Sequence, residues 1–245
     1  MKSTEVFTEK ADIYSKYRPG YSKELIQYLY SRIGMGINSL IADIGSGTGM
    51  FCKWLLDRGS TVYAIEPNTS MRLTAEKNLT NHPRFHSLNA TGENTTLPQN
   101  SVDFITVAQS FHWLDTGRFK MECRRILKSN GRIIIVYNRK NTKAEVNLQL
   151  AALINRFYPE YKDAISHWHL REDAIKNFFE HGYEFVEFKN DIVNNLEEFI
   201  GRTMSASFSK VNEDYVRELE LLFHRFSQNG VVRVPNDTVT YIGTV

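Results

Sequence analysis

The sequence predicts a doubly wound α/β fold, a mostly parallel sheet with helices on both faces, and three stretches carry that expectation. Leu40-Ile41-Ala42-Asp43-Ile44 is a short apolar strand that runs directly into the glycine-rich turn Gly45-Ser46-Gly47-Thr48-Gly49, and the helical pattern Phe51-Cys52-Lys53-Trp54-Leu55-Leu56 follows at once. Thr61-Val62-Tyr63-Ala64-Ile65 is a second β-rich strand that ends on an acid, Glu66. Arg132-Ile133-Ile134-Ile135-Val136-Tyr137 is continuous in apolar residues, as strands covered on both faces are.

The remaining elements fall around these three. Residues 1–38 read as an N-terminal arm or lid hinged at Pro19-Gly20, followed by a first helix carrying Leu25, Ile26, Tyr28 and Leu29. A helix with Met71, Leu73 and Leu79 follows Glu66, then a strand near Arg84–Leu88, the polar loop Ala90–Pro98 and the strand Val102–Val107. Ala108-Gln109-Ser110-Phe111-His112-Trp113-Leu114-Asp115 leaves that strand, and a helix through Phe119, Cys123 and Ile126 closes at the turn Lys128–Gly131. The core thus spans 39–137. From 138 to 182 the pattern is helical and aromatic, which predicts a cap inserted between the fifth and sixth strands. Residues 183–245 complete the sheet with strands at Tyr183–Phe188 and Thr238–Ile242, separated by helices that begin at Leu196 and Tyr215.

The whole chain bounds the function. Its 245 residues suit one α/β domain, and 42% hydrophobic and 24% charged residues are an ordinary globular composition. A net charge of +2 is too small to make nucleic acid or an anionic membrane the expected partner. The two cysteines, Cys52 and Cys123, lack metal-ligand or disulfide spacing, so a reducing cytoplasmic setting and no metal are expected. No apolar run is long enough to span a bilayer, and the polar N-terminus lacks a signal-peptide core. A monomer or homodimer is expected.

The glycine turn carries the chemistry. Glycines tolerate positive φ and let backbone approach a ligand, and the following helix start offers free N–H groups. A dinucleotide fingerprint would need a small residue at position 50, where this chain has Met50. Alternating Gly45, Gly47 and Gly49, with Asp43 two residues ahead, fit a ligand with a charged amino-acid tail instead. Asp43-x-Gly45-x-Gly47-x-Gly49 resembles the first motif of class I S-adenosylmethionine (SAM) dependent methyltransferases, and Glu66 stands where a carboxylate would accept from both ribose hydroxyls. Glu66 could equally cap the helix that follows it.

The resemblance extends along the chain. Tyr14, Tyr17 and Arg18-Pro19-Gly20-Tyr21 are similar to the N-terminal arm of trans-aconitate-type small-molecule methyltransferases, with Ser22 where that arm often has proline. It implies that Tyr14 covers the cofactor and that Arg18 holds a carboxylate or the lid; packing for Tyr14 and solvation for Arg18 are the alternatives. Thr91-Gly92-Glu93 resembles the loop that borders adenine in the family, and Ala108-Gln109-Ser110-Phe111-His112-Trp113-Leu114-Asp115 resembles its motif after the fourth strand. The resemblance implies a seven-stranded, Rossmann-like sheet in the order 3-2-1-4-5-7-6. It also implies SAM as cofactor, S-adenosylhomocysteine as product and a small-molecule acceptor. Asp43, Gly45, Ser46, Gly47, Thr48, Gly49, Glu66, Met71, Thr91, Gly92, Glu93, Gln109 and Trp113 are then cofactor candidates, with Tyr14 and Arg18 from the arm.

His112 is the candidate general base, since an imidazole titrates at about 6.5, although alignment alone suffices for many methyl transfers and a structural role stays open. If a carboxylate is methylated, Arg18 and Arg202 are anion-binding candidates. His167-Trp168-His169 lacks a third ligand and reads as packing or pocket lining. A non-catalytic SAM-binding protein and an RNA or protein methyltransferase are the alternative functions.

Overall fold

The computed structural model describes residues 19–159, 172–205 and 212–245. Tyr14, Arg18 and His167-Trp168-His169 lie outside them. In chain order the elements are α1 (Lys23–Ser31), β1 (Leu40–Ile44), α2 (Met50–Asp57), β2 (Thr61–Ile65), α3 (Thr69–Leu79), β3 (Phe85–Leu88) and β4 (Val102–Ala108). A 3-10 turn (Phe111–Trp113) leads to α4 (Thr116–Ile126), β5 (Leu127–Lys140), α5 (Glu145–Phe157), α6 (Glu172–Phe178), β6 (Tyr183–Lys189) and β7 (Ile192–Asn194). The chain ends with α7 (Leu196–Met204), α8 (Glu213–Phe226), β8 (Val232–Val234) and β9 (Asn236–Gly243).

Seven strands form one sheet in the order β3-β2-β1-β4-β5-β9-β6, with β9 as the seventh core strand, so the expected 3-2-1-4-5-7-6 order holds. β1 to β5 pair in parallel, and β9 runs antiparallel to both β5 and β6. The apolar strands divide their side chains between two layers. Ala42, Ile44, Ile133, Ile135 and Tyr137 face a core completed by Phe119 and Ile126 of α4 and by Phe178 of α6. Ile41, Val62, Ala64, Ile134 and Val136 face the opposite core, with Leu25 and Leu29 of α1 and Phe51 and Leu55 of α2. Helices on both faces are what make the strands uniformly apolar.

Three features depart from the sequence reading. The expected turn at Lys128–Gly131 is part of β5: as β4 advances from Val102 to Phe104, β5 advances from Leu127 to Arg132, a bulge at the start of the strand. Asp103 secures it, one carboxylate oxygen accepting from Lys128 Nζ at 2.8 Å and the other from the Leu40 N–H at 2.8 Å. The helical segment expected as one cap divides: α5 packs with α7, α8 and β8 in a third cluster around Phe199, Tyr215 and Phe223, whereas Ile175 and Phe178 of α6 pack on the main sheet. A two-stranded β7–β8 ribbon, absent from the sequence reading, joins that third cluster.

Candidate functional site

The glycine turn sits at the carboxyl end of β1, where the sheet order reverses between β1 and β4. In doubly wound sheets ligands lie at this point. Gly45, Gly47 and Gly49 all take left-handed backbone, with φ of 64°, 57° and 82°. The Gly45 and Ser46 N–H groups donate to Ile65 O at 2.9 and 3.2 Å, and Gly49 N donates to Ser46 O at 3.0 Å, so the turn folds over the end of β2. Thr48 is buried, and Ser46 Oγ is buried with no hydrogen-bond partner among the described residues.

Glu66 closes the turn from the neighbouring strand. Its Oε2 accepts from Gly47 N at 2.9 Å and its Oε1 from Asn68 N at 2.8 Å, while Asn68 caps α3 by accepting from Met71 N at 3.0 Å. Burial raises the Glu66 pKa, partly countered by these two N–H donors. Met71 is buried beside the loop, its Sδ 3.6 Å from where a Cβ on Gly47 would stand. Gly92 packs against Ile44 and Leu114, leaving no room for a side chain, and Thr91 pairs with Asn94 in a short bridge. Glu93 Oε1 accepts from the Asp115 N–H at 2.9 Å and so ties the loop to the start of α4.

Asp43 lies inside the fold rather than on the loop's open side. It is 1% exposed; Thr106 Oγ1 donates to its Oδ1 at 2.6 Å and Cys52 Sγ to its Oδ2 at 3.0 Å. Desolvation raises its pKa to about 6 against the pull of those two donors. A carboxylate whose folded pKa lies above its unfolded value of 3.8 destabilises the fold as it ionises, so stability is lost as pH rises from roughly 4 to 6. At about 1.4 kcal/mol per unit this is up to about 3 kcal/mol at neutral pH. Glu122, held at about 2 by Arg125 and Thr95 although burial opposes ionisation, has the opposite sign, its stabilisation being lost as pH falls towards 2. The comparison therefore needs a variant: Asp43→Asn is expected to gain up to about 3 kcal/mol relative to wild type between pH 4 and 7 in urea denaturation. A pH-independent difference would show that Asp43 is not the titrating group.

On the other side of the turn, Ser110 Oγ donates to Ile44 O at 2.6 Å, and Gln109 adopts φ 59°, left-handed backbone in a residue other than glycine. The Gln109 N–H is held by Val136 O at 2.9 Å. This reversal throws the 3-10 turn outward, and His112 and Trp113 emerge on it, Trp113 47% exposed and its ring centroid 4.7 Å from that of His112. Tyr137, near the carboxyl end of β5, meets His112 from beneath: its Oη is 3.1 Å from the His112 backbone N and 3.2 Å from Nδ1.

Against these positions stand the similarities to known proteins. A family described as "Methyltransferase domain" matches residues 42–135, which span the turn, Glu66, His112 and most of β5. Residues 42–135 are thus similar to a methyltransferase domain, carried on the seven-stranded sheet described above.

An uncharacterized methyltransferase of Mycobacterium tuberculosis is 30% identical over 160 residues, covering 65% of this chain and 63% of the relative, so the chain matches less than two thirds of that protein's length. An uncharacterized methyltransferase of Schizosaccharomyces pombe is 24% identical over 220 residues, 87% of this chain and 83% of the relative. Among solved structures, a protein assigned as a type II methyltransferase from Anaeromyxobacter dehalogenans superposes with TM-score 0.62 at 22% identity over 93% of this chain and 98% of its own. The YcgJ protein of Bacillus subtilis gives 0.55 at 15% identity over 91% and 100%. At these identities the superpositions speak for the fold.

The side-chain-free cradle of three glycines and the orphaned Ser46 hydroxyl fit the methyltransferase cofactor: the turn can admit a polar ligand that uses this hydroxyl. The structure also brings in residues absent from the sequence reading of the site. Cys52 and Thr106 hold Asp43, and Tyr137 holds His112. Asn138 Nδ2 and Asn190 Nδ2 both donate to Gly20 O, at 3.0 and 2.9 Å, while Asn138 Oδ1 accepts from Thr238 Oγ1 at 2.7 Å, so β5, β9 and the residue that follows β6 anchor the hinge of the expected arm. A polar-tipped aromatic near the carboxyl end of a central strand was the available signal for Tyr137. Arg202 lies in the last turn of α7, within the α5–α7–α8 layer.

Proposed function

We propose that this chain transfers the methyl group of SAM to an oxygen of a small molecule, a carboxylate or a hydroxyl. The supporting observation is that the glycine turn, Glu66, Gln109 and the His112–Tyr137 pair occupy the carboxyl ends of the adjacent strands β2, β1, β4 and β5. When bound, SAM supplies a methyl group already made electrophilic by its sulfonium. The protein's part is alignment, which contributes roughly 7–11 kcal/mol in well-oriented reactions. Gly45–Gly49 and Ser46 Oγ receive the amino-acid tail, Glu66 the ribose, and Met71 with Thr91, Gly92 and Glu93 the adenine edge. Gln109 borders the methionine moiety and Trp113 lines the acceptor side. Asp43 acts from behind the turn, holding β1 to β4 and α2 through Thr106 and Cys52.

A cytoplasmic setting agrees with two buried cysteines that are free thiols and with the lack, among the described residues, of a helix long and apolar enough to cross a membrane. Calorimetric titration with SAM, S-adenosylhomocysteine and NAD tests the cofactor. Micromolar binding of both adenosyl-sulfur ligands and none of NAD is expected. Absence of both would sink the proposal, and binding without turnover across an acceptor panel would leave a non-catalytic SAM-binding protein.

A further inference from the structure

We propose that Tyr137 is a positioning residue that holds His112 in the tautomer with its proton on Nδ1, so that Nε2 accepts the proton of a hydroxyl acceptor. This rests on the methyl-transfer reading and narrows it from oxygen acceptors in general to those that must lose a proton.

The geometry starts in the sheet. Tyr137 is 7% exposed and its ring belongs to the core with Ile133, Ile135, Val239 and Tyr241, so its hydroxyl is fixed by β5 and not by the loop above. That one oxygen lies within hydrogen-bond distance of two nitrogens of the same residue, the His112 backbone N at 3.1 Å and Nδ1 at 3.2 Å. The backbone nitrogen can only donate. A phenolic oxygen has two lone pairs, so it can accept from the amide with one and from an Nδ1–H with the other. The Tyr137 hydroxyl, with one proton and two lone pairs, can either donate to Nδ1 or accept from it, and in the proposed arrangement it accepts from both His112 nitrogens. Proton exchange with an acceptor then falls to Nε2, on a ring standing on the exposed 3-10 turn beside Trp113.

In the proposed step the acceptor oxygen bonds to the methyl carbon as the carbon–sulfur bond breaks. The bonding pair stays on sulfur, giving the neutral thioether, and the hydroxyl proton passes to Nε2. The resulting imidazolium keeps Nδ1–H on Tyr137 Oη, so no partner has to rearrange as charge develops. A carboxylate acceptor, already ionised, would have no use for this arrangement.

The experiment is nitrogen NMR of ring-labelled protein with S-adenosylhomocysteine present, using His112→Gln to assign the His112 signals. In the neutral imidazole the proton is expected on Nδ1, and Tyr137→Phe, which keeps the buried ring, is expected to move it to Nε2 while S-adenosylhomocysteine affinity stays within about twofold. An Nε2–H tautomer in wild type, or an unchanged tautomer in Tyr137→Phe, overturns the proposal. The titration separates the two readings: failure of S-adenosylhomocysteine to bind wild type would remove the methyl-transfer reading, and the tautomer still decides whether Tyr137 sets the ring. With hydroxyl acceptors Tyr137→Phe should lower kcat at least 10-fold with little change in the KM for SAM, as loss of base positioning would. An effect confined to KM would also overturn it.

Discussion

Alanine at Glu66 is expected to weaken S-adenosylhomocysteine binding by 100-fold or more, the largest functional effect of any single side chain in this site. An ionised carboxylate offers about four lone-pair positions, and two are already taken by the Gly47 and Asn68 N–H groups at 2.9 and 2.8 Å. The remaining two match the adjacent hydroxyls of a ribose. A hydrogen bond to a charged group contributes about 1.5–3 kcal/mol, so loss of two amounts to roughly 3–6 kcal/mol, or about two to four powers of ten in Kd. The variant also releases Gly47, so the titration belongs at a temperature where circular dichroism shows both proteins folded. Glu66→Gln keeps one acceptor oxygen but turns an amide NH₂ toward an N–H donor, and it should fall between the two. Undiminished affinity in folded Glu66→Ala would mean that the residue only braces the turn against the capped start of α3, the alternative its position after β2 leaves open.

The central strands were legible because both faces of the sheet are covered: runs such as Ile133–Val136 carry a signal that neither loops nor exposed strands share, whereas the strand order came from the family resemblance. The glycine turn was legible because three alternating left-handed positions admit little but glycine. Other features were hidden for physical reasons. The β5 bulge uses Lys128–Gly131, whose Ser-Asn-Gly composition is that of a turn, and the pairing of Leu127 and Arg132 with β4 on either side places it within the strand. β7 and β8 are three residues each, too short for any period to register, and they pair across 37 intervening residues between Asn194 and Val232. Asp43 carries the spacing of a ligand residue but is turned inward to Thr106, a partner 63 residues away. Tyr137 was read as architecture because it ends an apolar run. Its ring is architecture, and only its oxygen reaches the site.

Gly45→Ala is expected to cost about 2–5 kcal/mol of stability, a large part of the roughly 5–15 kcal/mol that a domain has. Two separable causes add. At φ 64° a side chain incurs the left-handed penalty of about 1–2 kcal/mol, and a Cβ would stand 2.6 Å from Ser110 Cβ and 2.8 Å from its Oγ, an overlap of the kind that costs about 1–3 kcal/mol in packed interiors. Ser110 cannot simply rotate away, because its Oγ is held by Ile44 O at 2.6 Å, next to the glycine itself. A double-mutant cycle with Ser110→Gly separates the causes. In the Ser110→Gly background the steric part should vanish and about 1–2 kcal/mol should remain, read as shifts in urea midpoint at constant m-value. Strict additivity would show that Gly45 and Ser110 are not in contact, and with that the close approach of the β1 and β4 ends, on which the cofactor cradle is built, would fall. Coupling of the expected sign would place the turn and the segment bearing His112 as one packed unit, since the residue that crowds Gly45 stands two positions before the imidazole held by Tyr137.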